Sequence, residues 1–190
     1  MEELKQRILV EGEAYDGGVL IVDTFLNHQI DPELCARMGD EIAQKYKDAE
    51  VTKVLTVEAS GIAVALMVAR SLGVPVVFAK KSKNITQTGD LLTAEIYSFT
   101  KKQSTVITVS KKFLSEEDNL LIVDDFLAHG EALKGLCEIA RLTGAKLAGV
   151  GIVIEKVFQG GGEKLRKEGL RIESLAKISH MEEGKIEFSE

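Results

Sequence analysis

Short apolar runs alternate with amphipathic stretches along this chain, and the alternation predicts a parallel sheet with helical crossovers. "GGVLIVDTFLNHQI" begins as an apolar strand. "DPELCARMGDEIAQKYKD" follows with helical spacing: Asp31 suits the N-cap, Pro32 the first helical position and Glu33 the first turn. "KVLTV" reads as a short strand, "SGIAVALMVARSLG" as a helix capped by Ser60 and closed by Gly73, and "VPVVFA" as the next strand. Residues 120–124 form another strand, and a helix runs from near Glu131 to Gly144, whose glycine suits a C-cap. "LAGVGIVIE" is a long apolar strand, "GGEKLRKEG" a short polar helix and "RIESLAKIS" a final strand.

Lys80 to Lys112 departs from this rhythm, being polar, lysine-rich and partly β-like in "AEIYSFT" and "TVITVS". So long a segment without strong periodicity reads as a hairpin-like flap ahead of simple disorder. With two prolines and no Ser/Gly-rich linker, residues 1–190 form one domain.

Composition narrows the class. Apolar residues are 45% and charged residues 28% of the 190, which fits a globular fold and not disorder. The net charge of −6 disfavours non-specific nucleic-acid or anionic-membrane binding, because both need a cationic footprint. No stretch approaches the roughly 20 apolar residues of a membrane span, and "MEELKQRILVEGE" lacks the apolar core of a signal peptide. Cys35 and Cys137, far apart in helical patterns, read as buried reduced thiols. A cytoplasmic protein is the expectation. His28, His129 and His180 have no metal-ligand spacing, and no GxxxxGK[ST] occurs.

Ligands of open α/β sheets bind beyond the carboxyl ends of the strands. Four strands deliver polar or flexible residues there: Glu58-Ala59-Ser60-Gly61, Lys80-Lys81, Asp124-Asp125 with the loop around Gly130, and Lys156. "AHGEA" opens a helix, so its backbone N–H groups form a phosphate cradle that Gly130 allows a ligand to approach. Two carboxylates beside a phosphate must face something else, either sugar hydroxyls or a magnesium ion. A phosphorylated sugar satisfies both halves.

An apolar strand, two acidic residues, two further residues and a small-x-Gly loop opening a helix resemble the signature of the type I phosphoribosyltransferases. "VEASGI" is similar to that family's pyrophosphate loop, and Lys80–Lys112 sits where the family has a flexible flap. The resemblance spans the whole chain and implies an α/β fold: a central, mostly parallel sheet flanked by helices, a small hood from about 1–30 and 156–190, and a flap within 80–112. It implies transfer of a phosphoribosyl group from 5-phosphoribosyl 1-pyrophosphate (PRPP), with Mg2+, to a purine, in a homodimer. By position, Asp124 and Asp125 would hold the ribose and its transition-state charge. Ala128, His129, Gly130, Glu131 and Ala132 would wrap the 5′-phosphate. Ala59, Ser60 and Gly61, in a loop that in the family often includes a cis peptide, would bind pyrophosphate, with Lys80 and Lys81 reaching it across the dimer interface.

The implied base is xanthine, with xanthosine 5′-monophosphate as product. Lys156 would donate to its 6-oxo group, Asn27 to the second oxygen, and Leu20 would add backbone or apolar contact. The chain departs from the family's usual pattern at Ala128 and Ala132, where hydroxyl side chains are common, and at Ser60, where adenine-using members carry arginine. Other purine bases are the first alternative. A PRPP-sensing regulator would need an added DNA-binding module and a basic surface, and a phosphoacceptor domain would carry its aspartates on the first strand.

Overall fold

A computed structural model describes residues 1–82, 90–98 and 103–189. In chain order the elements are α1 (Glu2–Glu11), β1 (Glu13–Tyr15), β2 (Val19–Ile21), a π-helical turn (Asp23–Asn27), α2 (Pro32–Lys45), β3 (Lys53–Val57), α3 (Gly61–Leu72), β4 (Val76–Ser82), β5 (Leu91–Ser98), β6 (Gln103–Ser110), β7 (Asn119–Leu127), α4 (Glu131–Thr143), β8 (Lys146–Lys156), α5 (Gly161–Lys167), β9 (Ile172–Glu182) and β10 (Lys185–Ser189). Eight strands form one sheet in the order β10-β9-β8-β7-β3-β4-β6-β5. Its centre, from β9 to β4, is parallel, while β10 and the β5–β6 pair are antiparallel at the two edges.

The helices lie where their apolar stripes send them. Leu34, Met38 and Ile42 of α2 join Val64 and Val68 of α3, and Leu121, Val123 and Val153 of the sheet, in one core layer. Leu133, Leu136 and Ile139 of α4 meet Leu120, Ile122 and Ile152 on the opposite face. The cluster memberships show strand alternation directly, since consecutive residues of β7 enter opposite cores. Tyr46, just past α2, locks that helix to β8: its hydroxyl donates to Val150 O at 2.8 Å and accepts from Val150 N at 3.1 Å. The expected N-cap of α2 is in place, with Asp31 accepting from the Glu33 and Leu34 N–H groups.

Several local expectations need revision. Strand β7 does not stop at Asp124 but pairs with β8 through Leu127, so both aspartates lie inside the sheet. Ser60 is in a helical conformation and makes no side-chain cap to α3. The run after Gly18 yields only a three-residue strand, paired with β1 in a hairpin apart from the main sheet, and then turns into the π-helical segment. RIESLAKIS is not the last strand, because β10 folds back along it. Finally, β5 and β6 are full strands of the main sheet, with Leu92, Ala94, Ile96, Ile107 and Val109 buried against α4's core. The remaining flap positions, 83–89 and 99–102, lie outside the described residues.

Candidate active site

Strands β8, β7, β3 and β4 are neighbours and parallel, so their carboxyl ends open on one edge. Asp124 and Asp125 sit near that end of β7, only 6% and 7% exposed. Asp124 Oδ1 accepts from the Asp125 N–H at 3.0 Å. Burial first, and the Asp125 charge second, push the Asp124 carboxyl well above its usual range, with Lys81 acting in the opposite direction. A carboxyl so placed resists ionisation until a cation or a hydroxyl donor arrives.

Behind the aspartates, residues 128–132 turn from β7 into α4. Gly130 is the N-cap residue with φ 83°, a left-handed conformation that glycine adopts without penalty. No side chain caps α4, so its first-turn N–H groups have no intrahelical acceptor and the positive end of the helix dipole faces the turn. A pocket of 160 Å3 lies over this turn, lined by residues 126–133 and by Tyr97 from β5. The chain thus brings all five expected phosphate-loop residues to one concavity.

The turn from β3 to α3 holds Ala59, Ser60 and Gly61 beside this site, and the Glu58–Ala59 peptide bond is cis. Gly61 is required for close approach: a Cβ there would collide with Thr56 Oγ1 and stand 2.7 Å from Asp124 Oδ1. Glu58 accepts from the Lys81 N–H at 2.6 Å, tying the turn to β4. Lys80 and Lys81 are both exposed. Strand alternation sends them to opposite faces, and Lys81 is the one whose charge acts on Asp124.

Hood residues reach the same edge from the other side. Asn27 Nδ2 donates to Asp125 Oδ2 at 3.2 Å. Lys156, the last residue of β8, donates to Gly18 O at 2.7 Å and lies 5.0 Å from the centre of the Phe126 ring. Burial lowers the Lys156 pKa, while Asp125 supports the charged form. Leu20 differs, because the residue is only 7% exposed and belongs to the core.

The fold agrees with comparisons to known proteins. Residues 21–180 match the family model described as a phosphoribosyl transferase domain. The chain belongs to the phosphoribosyltransferase family. Among its relatives, a xanthine phosphoribosyltransferase of Heliobacterium modesticaldum is 64% identical over the whole of both chains. One from Streptococcus agalactiae is 52% identical, covering all of this chain and 98% of the relative. In fold the phosphoribosyltransferase chain is similar to the adenine phosphoribosyltransferase of Giardia lamblia solved with 9-deazaadenine, with a TM-score of 0.79, 24% identity and coverage of 93% and 98%. The corresponding enzyme of Thermoanaerobacter pseudethanolicus gives 0.75 and 20%, with coverage of 92% and 99%.

Three features near this edge of the sheet escaped the sequence reading. Phe126 lies between the phosphate pocket and Lys156, and its position directly after the aspartates was the available signal. Tyr97 reaches the pocket from a strand that pattern alone placed in a flap. Glu155, 1% exposed, forms a two-pronged ion pair with Arg166 at 2.6 and 2.7 Å, and nothing in the sequence marks the two as partners.

Proposed function

We propose that this chain transfers the phosphoribosyl group of PRPP to xanthine, giving xanthosine 5′-monophosphate and pyrophosphate in purine salvage. The observation that carries the proposal is the convergence of Asn27, Asp125 and Lys156 on one side of a phosphate-type loop. The full-length xanthine-named relatives support the choice of base.

In this reading the backbone N–H groups of Ala128, His129, Gly130, Glu131 and Ala132 hold the 5′-phosphate at the start of α4. Asp124 and Asp125 take the ribose hydroxyls and oppose the positive charge that grows at the anomeric carbon as its bond to pyrophosphate breaks. Ala59, Ser60 and Gly61 receive the departing anion, with Lys80 and Lys81 reaching it across the interface of a homodimer. A purine nitrogen forms the new bond to the anomeric carbon and gives up its proton to the departing pyrophosphate. For the base to be read, Asn27 exchanges Asp125 for a xanthine oxygen as ribose hydroxyls occupy that carboxylate. Lys156 likewise exchanges the Gly18 carbonyl for the 6-oxo group, and the Leu20 backbone completes the base site. A pocket built to donate to specific oxygens rejects bases that lack them.

Magnesium fits as part of the substrate. No cluster of three or more metal-ligating side chains occurs among the described residues, and a hard cation finds its oxygens on PRPP, with the Asp124 and Asp125 carboxylates beside it. Bound there, it would neutralise charge on the leaving pyrophosphate. In this reading the hood over the base draws on residues from about 1–30 and 156–190.

A product assay with PRPP and Mg2+, offering xanthine, hypoxanthine, guanine and adenine separately, tests this reading. Nucleotide forms preferentially from xanthine, and Lys156→Ala raises KM for xanthine by about 10-fold or more while changing KM for PRPP little. Equal use of adenine would refute the base assignment.

A further inference from the structure

Helix α5 has no part in the chemistry above, yet it is built against the phosphate loop with unusual closeness. It is seven residues long, and so short a helix cannot hold itself in water. Its start presses on the back of the loop. Gly161 N donates to Ala128 O at 3.2 Å. A Cβ on Gly161 would collide with Ala128 O and stand 2.7 Å from Gly130 N. Leu165, one turn on, is 4% exposed, and its Cδ1 would lie 2.9 Å from a Cβ on Gly130. The loop is therefore in contact with α5 through three successive residues, 128 to 130.

The anchor of α5 is Arg166. Its guanidinium meets both oxygens of Glu155 at 2.6 and 2.7 Å, and Ser174 on β9 also donates to that carboxylate. Glu155 is paired in register with Leu127, the last strand residue before the loop. Burial alone would raise the Glu155 carboxyl, but Arg166 and Ser174 together leave it below the usual value, so the pair is ionised. Gly162 admits this arrangement: a Cβ there would collide with Glu155 Oε1 and stand 2.8 Å from Arg166 Nη1. A planar fork closed on a buried carboxylate fixes direction as well as distance.

We propose that Glu155 and Arg166 are positioning residues for the phosphate loop: by clamping α5 against residues 128–130, they set how tightly the loop holds the 5′-phosphate of the phosphoribosyl substrate. The inference rests on the assignment of residues 128–132 to that phosphate. It does not depend on which base is used.

The test uses ribose 5-phosphate, which carries the phosphate but neither pyrophosphate nor base. Its affinity is measured by calorimetry for the native protein, Arg166→Met, Arg166→Lys and the double variant Glu155→Gln/Arg166→Met, alongside KM for PRPP and for xanthine. Arg166→Met alone strands a buried carboxylate and can cost the fold. The double variant removes that charge and decides the matter if the single variant does not fold. Ribose 5-phosphate binding and KM for PRPP weaken by about 10-fold in the double variant, the low end of what loss of positioning costs. KM for xanthine stays within about 2-fold, and Arg166→Lys recovers part of the loss because it restores the charge without the fork. A double variant that binds ribose 5-phosphate as the native protein does, whatever its thermal midpoint, overturns the proposal. So does a native protein that does not bind ribose 5-phosphate. Native binding without nucleotide formation from xanthine would refute the xanthine reading only, and a weakened double variant would still support the clamp.

Discussion

Asp124 shows how a single residue is held against its own preference. An aspartate in an unfolded chain titrates near about 3.9, whereas burial, reinforced by the Asp125 charge, raises the folded value well above that. The folded state therefore keeps a proton that the unfolded state has released, and the associated stability is lost as pH rises from the unfolded value through the folded one. Asp124→Asn removes that penalty. Its thermal midpoint exceeds that of the native protein, with a larger gain at pH 8 than at pH 5, while turnover falls by roughly 100-fold because charge opposite the anomeric carbon is gone. Melting curves at the two pH values and a product assay check both halves, and equal gains at both pH values would contradict the linkage. The acidic pair and the loop after it were readable because they are contiguous, and a strand end, a glycine and a helix start dictate backbone N–H geometry locally. Asn27 meeting Asp125 was not readable, since the two lie 98 residues apart and only the folding of the hood brings them together.

Among the elements, the central strands and the helices between them follow from periodicity, and the structure keeps them nearly where the pattern put them. The misses share a cause. Helix α1 buries only Leu4 and Ile8 and has no side-chain cap, so its amphipathic signal is thin. Strand β10 has no fully buried position and draws its existence from pairing with β9. Both are stabilised by neighbours more than by their own sequence. The same dependence gives a prediction for α2. Tyr46 is 1% exposed, and burial pushes its hydroxyl up to about 12, so it remains a neutral donor to Val150. Tyr46→Phe destabilises the protein by about 1–3 kcal/mol through the polar groups left unpaired on β8. Urea unfolding should show a lower midpoint with an unchanged slope, and KM for PRPP should hold, because the change is remote from the carboxyl edge of the sheet.

For the molecule as a whole, the proposed reaction carries its magnesium ion in with PRPP, beside the Asp124 and Asp125 carboxylates. A strong chelator therefore abolishes turnover yet leaves the thermal midpoint of the protein alone unchanged, since only groups that bind the folded state add to its stability. A midpoint that drops on chelation would reveal a resident metal site. The alternation of strand and helix already indicated the α/β class, because periodicity acts over a few residues, and the chemistry expected at the carboxyl edge came from the resemblance of its contiguous motifs to a known family. Which strands adjoin, how β5 and β6 join the sheet, why Glu155 pairs with Arg166 and which hood residue reaches Asp125 were decided only in three dimensions. Those contacts depend on register and packing between distant segments, and no short stretch of sequence carries that information.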